Sequence, residues 1–301
     1  MSGLMDKHPS IRSFIKEIYQ VWISEKPNQL AAALAYFGMF SFAAVIYIAF
    51  LIAGIFINEA AAAEQFYTRI EAVLGAETAA FIQDSVTAIS AANDGGSLII
   101  SVVSLISLLL AAMGLFLQLE FVLNRIWGVP LIQVGNRVAI IRQRLFAFIM
   151  VIAIGLLVIL VTMVNVIFAW FGAIVEELFT NSGLVSVLNI FALLAVIVLA
   201  IAFVYKVLPD VKVAWRDVWP GSLAATLLVA LGGLAIGLYF RIGGIQTGFQ
   251  AAGAFAVVMI AIYYFAQIFL VGAIITRVYA RRYGSMRISP NNNLPSAEGE
   301  H

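Results

Sequence analysis

Six long stretches of the chain contain no charged residue, and this pattern dominates the sequence. They cover residues 27–58, 95–119, 145–175, 178–205, 218–240 and 242–276. A helix needs about 20 mostly apolar residues to cross a bilayer, so each stretch is long enough. A β-barrel would alternate apolar and polar residues, and the run from Leu98 to Val103 does not alternate. The pattern therefore predicts an all-α, polytopic integral membrane protein with six transmembrane helices.

The apolar stretches and the polar residues between them also predict the domain boundaries. A membrane domain of residues 27–283 contains spans at about 30–57, 97–123, 145–175, 184–208, 218–240 and 250–278. Residues 59–94 predict a small helical hairpin with a break near Gly75, acting as a packed cap or as a lid over the outer end of the bundle. Residues 284–301 are polar and predict a disordered cytoplasmic tail.

Residues 1–26 predict a cytoplasmic arm that contains one amphipathic helix over residues 11–22. Its apolar residues recur at intervals of three and four: Ile11, Phe14, Ile15, Ile18 and Trp22. Arg12, Lys16 and Glu17 fall on the opposite side. Two interpretations stay open, a helix in the inner-leaflet interface and a helix packed on the cytoplasmic face of the protein.

Positive charges are distributed very unevenly between the predicted loops. Fifteen of the 17 Lys and Arg residues fall in the N-terminal arm, the loops after spans two and four, and the C-terminal end. The other side holds only Arg69 and Arg241, with eight of the 16 acidic residues. Because Lys and Arg accumulate in cytoplasmic loops, both termini are predicted to face the cytoplasm. The basic rim of Arg125, Arg137, Arg142 and Arg144 either attracts anionic headgroups or reflects topology alone.

The residue inventory argues against an enzyme. The chain has no cysteine, and its two histidines, His8 and His301, lie in the terminal arms. No paired-carboxylate motif, nucleophile elbow or phosphate-binding loop is present, and the predicted loops are too short for a soluble catalytic domain. Asp210 and Asp217 are interpreted as isolated loop charges. We therefore expect no cofactor, no metal site and no nucleic-acid partner; the expected partners are membrane lipids, with a homo-oligomer as an alternative.

Glu120 is the strongest candidate for a functional side chain. It is a carboxylate at the membrane edge, with Asn124 one helical turn away and Gln118 and Arg125 close by. Since charges in or near the membrane are costly, they often mark a substrate or ion pathway. Glu120 is interpreted either as a coupling or substrate-contact group or as a structural partner of a cation such as Arg125 or Lys206.

Polar and small residues within the spans supply the remaining candidates. The polar groups are Ser101, Ser104, Ser107, Thr162, Asn165, Tyr263, Tyr264 and Gln267. Such side chains commonly form hydrogen bonds between helices, and together they could also line a polar path. Gly233 and Gly237 are four residues apart, which is typical of close helix packing within a bundle or at a dimer face.

Several short motifs resemble the YihY/BrkB family of bacterial inner-membrane proteins. They are Ala32–Ser41, Leu123–Trp127, Tyr205–Pro209, Trp215–Asp217, Pro220–Gly221, Tyr239, Gly253 and Gly272–Ala273. The chain departs from the family pattern at Ala44, where a proline is usual, and at Ile274, where an acid is usual. The resemblance implies six membrane helices in the inner membrane and a link to envelope integrity and serum resistance. Members have carried the label ribonuclease BN, which the missing nuclease chemistry contradicts.

These observations favour a transporter or translocator of an amphiphilic, lipid-like or anionic envelope compound. A non-transporting membrane scaffold for envelope integrity is the alternative. An ion channel is a third interpretation, but the sequence shows no ring of charge that would build a pore.

Overall fold

The computed structural model describes residues 11–56, 59–93, 98–129, 182–241 and 250–286, together with Ile149. Within these ranges the chain is all-helical, as the sequence predicts. The helices are α1 Ile11–Glu25, α2 Pro27–Phe56, α3 Glu59–Leu74, α4 Ala76–Asn93, α5 Leu98–Trp127, α6 Ser182–Val207, α7 Trp215–Arg241 and α8 Gln250–Arg282.

Five of the six predicted spans correspond to described helices, namely α2, α5, α6, α7 and α8. Four helices contain segments that are long and apolar enough to cross a membrane: Pro27–Leu51, Ile190–Val207, Trp215–Ala235 and Gly253–Arg282. The third predicted span, 145–175, and its candidate Asn165 lie outside the described residues, apart from Ile149. The same holds for Arg137, Arg142 and Arg144 of the predicted basic rim.

Local sequence signals account for several helix ends. Proline is well suited to the first position of a helix, and α2 begins at Pro27 after a sharp turn at Lys26, whose φ is 49°. The predicted break near Gly75 separates α3 from α4, and the φ of Gly75 is 87°, which suits a residue without a Cβ. The last helical residue of α6 is Val207, just before Pro209.

α8 lies at the centre of the bundle and packs against α1, α2, α4, α5 and α7. Its contact with α7 is the most extensive of these, and it is close because small residues meet there. A Cβ added at Gly272 of α8 would lie 2.7 Å from the carbonyl oxygen of Gly221 and 2.8 Å from the Cβ of Ala225. Glycine at both positions therefore allows the two helix backbones to approach each other.

The α3–α4 hairpin packs between the long helices instead of resting on their ends. Ile82 is 2% exposed and belongs to one apolar cluster with Met39 of α2 and Val258 of α8. Met39 lies 17 residues before Phe56, the last residue of α2, a distance of roughly 26 Å along the helix. The hairpin therefore reaches well down the bundle, because α4 presents a continuous apolar face to α2 and α8.

The apolar face predicted for α1 is covered only in part by the bundle. Phe14, Ile18 and Trp22 pack on the core of the bundle. Ile11 and Ile15, which the sequence pattern placed with them, are 78% and 59% exposed. α8 therefore covers one side of this apolar face and leaves the other side exposed.

Candidate functional site

Five helix ends meet at one end of the bundle and are joined there by polar side chains. We call this region the polar junction and define it by Glu25, Asn124, Asp210, Asp217, Arg277 and Ser285. It contains the last residue of α1, the C-terminal ends of α5 and α8, the segment after α6 and the first turn of α7. The predicted basic side of the protein maps to this end.

Asn124 and Asp210 connect α5 to the segment between α6 and α7. The side-chain amide of Asn124 donates to Oδ2 of Asp210 at 3.0 Å. The backbone N–H of Asp210 donates to Oδ1 of Asn124 at 2.7 Å. The amide nitrogen and the amide oxygen of Asn124 thus both bind Asp210, one at its carboxylate and the other at its backbone N–H. Together they fix the side chain and the backbone of Asp210.

The C-terminus of α5 is capped by its own backbone and by α8. Gly128 has a φ of 70°, and the N–H of Val129 donates to the carbonyl of Asn124 at 2.9 Å. This arrangement is a Schellman cap, in which glycine tolerates the left-handed conformation.

Arg277 donates to the carbonyl of Ile126, and Arg281 donates to that of Trp127 at 3.4 Å. These arginines therefore satisfy carbonyls at the negative end of the α5 dipole.

Arg277 also connects α8 to α1. Its guanidinium lies 2.9 Å from the carboxylate of Glu25, the last residue of α1. Both side chains are largely buried, with exposures of 12% and 20%. One arginine thus joins α1, α5 and α8, so the position of α1 depends on the same group that caps α5.

Asp217, in the first turn of α7, holds the end of α8. Its Oδ2 accepts hydrogen bonds from the backbone N–H of Ser285 at 2.8 Å and from the Ser285 hydroxyl at 2.5 Å. A Cβ at Gly284 would lie 2.5 Å from Cγ of Asp217, so only glycine fits beside the carboxylate. Asp217 is fully buried within α7, so its interpretation as a loop charge is wrong. Asp210 is an exposed loop residue, as predicted, but it is not isolated because Asn124 binds it.

The predicted coupling group Glu120 is a buried residue of α5, 9% exposed, and it has a partner within the protein. Asn124, one turn further along, is also 9% exposed. Arg125 is exposed, and Gln118 is half-buried. The structure thus brings Asn124 into the polar junction, with Glu120 one turn deeper in the bundle.

Gln267 lies in a second polar group, between α8 and the start of α2. Its side-chain amide donates to the Tyr263 hydroxyl at 2.7 Å and to Oδ1 of Asn28 at 3.0 Å. Its Oε1 is buried and has no hydrogen-bond partner among the described residues. Gln267 therefore acts between helices, as expected for a polar side chain in a span.

The small-residue contact of α7 lies one position before the predicted one. A Cβ at Gly233 would meet no atom of the described residues within 4 Å, whereas one at Gly232 would lie 2.7 Å from Cζ of Tyr264. Gly237 is helical, and the structure describes nothing of its surroundings. Packing of Gly233 and Gly237 at a dimer face stays a prediction.

An apolar cavity of about 280 Å³ lies between α2, α5, α6, α7 and α8. It is partly open, and the described residues that line it are all aliphatic or aromatic, including Leu34, Leu119, Ile201, Val229 and Phe265. None of Glu120, Asn124 and Gln267 lines it. Among the described residues the polar and apolar parts of the candidate site are thus separate: the apolar cavity lies between the helices, and the polar junction closes one end of the bundle.

No group of His, Asp and Glu suited to a metal ion occurs within the described ranges. The polar junction and the apolar cavity offer hydrogen bonds, ion pairs and an apolar surface. Such groups can bind and orient a molecule.

The chain is similar to a known protein family and to a known membrane protein. The family model described as virulence factor BrkB matches residues 18–295. The chain belongs to the virulence factor BrkB family. It is also 30% identical over 176 residues to a UPF0761 membrane protein of Verminephrobacter eiseniae strain EF01-2. That alignment covers 56% of this chain and 39% of the relative, so the chain spans about two fifths of that relative. No solved structure matches the chain.

Three of the motifs that resemble the BrkB family, Tyr205–Pro209, Pro220–Gly221 and Gly272–Ala273, meet at the contact between α6, α7 and α8. The Tyr205 hydroxyl donates to the carbonyl of Phe269 at 2.5 Å, and it lies against Gly272. Gly221 packs against Gly272 and Thr276. Ile274, where the family pattern usually has an acid, is fully buried among apolar side chains. In this chain these positions build the packed core beside the polar junction.

Proposed function

We propose that the protein binds a lipid-like amphiphile of the bacterial envelope and translocates it across the inner membrane, with both termini in the cytoplasm. The apolar cavity between α2, α5, α6, α7 and α8 is the observation that carries this proposal. The described walls of this cavity offer no side-chain hydrogen bonds to a sugar or an ion, but they suit a hydrocarbon chain.

The size of the cavity limits what can enter it. An apolar cavity of about 150 Å³ holds a benzene molecule, and sites for small molecules occupy roughly 300–1,000 Å³. At about 280 Å³, this cavity suits a segment of an acyl chain, not a whole lipid. The headgroup would then stay outside the cavity, where the exposed Arg125 is available to an anionic group.

The polar junction supports a second candidate function, a membrane scaffold that does not transport. Asn124 joins α5 to Asp210, Arg277 joins α8 to α1 and α5, and Asp217 joins α7 to Ser285. These hydrogen bonds and this ion pair hold the helices in one arrangement, which suits a scaffold that binds other envelope proteins. A scaffold predicts no flux of any lipid probe.

Flux in proteoliposomes separates the two functions. The purified protein is reconstituted with NBD-labelled phosphatidylglycerol, and dithionite reports how much of the inner-leaflet label becomes accessible. We expect the protein to raise this fraction above that of empty liposomes, and Val229→Phe, which fills the cavity, to abolish the increase. Val187→Phe is the matched control, because Val187 is 49% exposed on α6. No flux above empty liposomes would favour the scaffold.

A further inference from the structure

α1 carries a stripe of apolar side chains that nothing in the described part of the chain covers. Its members, spaced four residues apart, are Ile11, Ile15, Tyr19 and Ile23, with exposures of 78%, 59%, 63% and 57%. The packed face of α1, formed by Phe14, Ile18, Val21 and Trp22, points toward the bundle instead. Four large apolar residues in one line form a contiguous patch, which usually marks a binding surface.

Polar residues complete the third side of the helix. Arg12, Lys16 and Gln20 are exposed and adjoin the apolar stripe. Going round the helix, the packed face is followed by the exposed apolar stripe and then by this basic and polar edge. A helix at the rim of a bilayer needs this order, since it contacts protein, acyl chains and the aqueous headgroup region on successive sides.

The contacts of α1 fix its height along the bundle. Glu25 pairs with Arg277, and Ser13 accepts a hydrogen bond from Arg282. Twelve residues of α1, about 18 Å of helix, separate Ser13 from Glu25, whereas five residues of α8, about 8 Å, separate the two arginines. α1 therefore lies against the C-terminal part of α8, at the end of the bundle, and is inclined to it.

The connection to α2 places α1 at the membrane boundary. α1 ends at Glu25, a single residue turns the chain, and the candidate membrane span begins at Pro27. A helix joined so closely to a span cannot leave the bilayer surface. Its exposed apolar stripe is therefore next to the membrane-facing surface of the bundle, which carries similar exposed side chains such as Tyr36 and Phe40.

We infer that α1 is an interfacial anchor that binds the surface of an anionic bilayer. The apolar stripe inserts among the first acyl carbons, and Arg12 and Lys16 contact lipid phosphates. The favourable interaction comes from burial of the stripe together with the attraction of two basic residues to the negative surface. The inference is independent of transport, because a scaffold could use the same anchor.

Spin labels on the cysteine-free chain test this arrangement directly. Ile15→Cys and Ile23→Cys label the apolar stripe, and Gln20→Cys on the same helix is the matched control at an exposed polar position. Each labelled protein is placed singly in nanodiscs of phosphatidylethanolamine and phosphatidylglycerol. The accessibility of each label to oxygen, which concentrates in the bilayer, is compared with its accessibility to a water-soluble nickel chelate.

We expect a several-fold higher oxygen-to-nickel ratio at residues 15 and 23 than at residue 20. Equal ratios at all three sites would overturn the inference, because the stripe would then lie in water. Low accessibility to both reagents at residues 15 and 23 would also overturn it, because a protein surface would then cover the stripe. A gel-filtration profile identical to that of the unlabelled protein shows that each variant is folded.

The role of charge is tested in the Ile15→Cys background. Changing both Arg12 and Lys16 to Gln should lower the oxygen-to-nickel ratio in discs that contain phosphatidylglycerol and leave it unchanged in discs of phosphatidylcholine alone. The same ratio before and after the double change in both kinds of disc would overturn the assignment of these residues to lipid phosphates.

Discussion

Asn124 and Asp210 lie 86 positions apart in the chain and are joined by two hydrogen bonds, of 3.0 Å and 2.7 Å. One bond fixes the carboxylate of Asp210 and the other fixes its backbone N–H. The segment that leaves α6 is therefore held against the last turns of α5. Because this segment leads directly into α7, the pair sets where α7 begins.

Replacing Asn124 should destabilise the protein more than replacing its exposed neighbour. In Asn124→Ala, Asp210 loses both of its hydrogen bonds with this side chain, and each such bond contributes about 0.5–1.5 kcal/mol net. Asn124→Asp should be at least as harmful, because two carboxylates would then face each other. The free energy of unfolding in dodecyl sulfate measures the effect. Arg125→Ala is the control, and we expect it to change the free energy of unfolding by no more than about 0.5 kcal/mol. Equal losses of stability in Asn124→Ala and Arg125→Ala would contradict the role of the Asn124–Asp210 pair.

The glycines of α7 and α8 should respond very differently to one added methyl group. Gly272→Ala places a Cβ 2.8 Å from the Cβ of Ala225, and such overpacking typically costs about 1–3 kcal/mol. Gly233→Ala meets open space among the described residues and should be neutral or stabilising by up to about 1 kcal/mol. Thermal unfolding of both variants in the same detergent tests this. A destabilised Gly233→Ala would indicate that this face is covered by another part of the chain or by a second copy, and cross-linking between copies would distinguish the two.

Glu120→Gln should lower the free energy of unfolding, because Glu120 is buried and has a partner within the protein. The substitution keeps the shape of the side chain and removes its charge, so a fall in lipid flux per folded protein would in addition identify a coupling or substrate-contact role. Glu64→Gln is the same change at an exposed position of α3 and should leave flux intact. Unchanged flux in Glu120→Gln would remove this residue from the mechanism and leave it a structural role beside Asn124.

The orientation of the protein predicts which introduced cysteines react from outside the cell. Lys212, in the segment between α6 and α7, and Glu64, on α3, are both exposed. In intact spheroplasts a membrane-impermeant maleimide should label Glu64→Cys and leave Lys212→Cys unlabelled until the membrane is opened. The expectation follows from the accumulation of Lys and Arg on the side that holds Lys212. The reverse pattern would contradict a cytoplasmic location for both termini.

The positions of the helices could be predicted from sequence because the signals are local. Pro27 begins α2, and Gly75 separates α3 from α4. Each of these depends on the dihedral angles or the polarity of a few neighbouring residues, so no knowledge of the fold is needed.

The polar junction could not be predicted, because its contacts join distant parts of the chain. Asp217 looks like a loop charge beside Arg216, yet its partner Ser285 lies 68 positions away. In α1, Ile11 and Ile15 share the period of the packed residues, and periodicity alone does not show that α8 covers only part of that surface. The cavity was equally hidden, since its walls are ordinary apolar residues of five separate helices.

Photo-cross-linking of an acyl chain tests the central proposal most directly. The protein is reconstituted with phosphatidylglycerol that carries a diazirine in one acyl chain, irradiated and digested, and the modified residues are identified by mass spectrometry. We predict adducts on the cavity residues Leu115, Leu119 and Phe265, which disappear in Val229→Phe and persist in Val187→Phe. Adducts confined to outward-facing residues such as Leu231 and Leu234, with the same yield in both variants, would contradict a lipid site within the bundle.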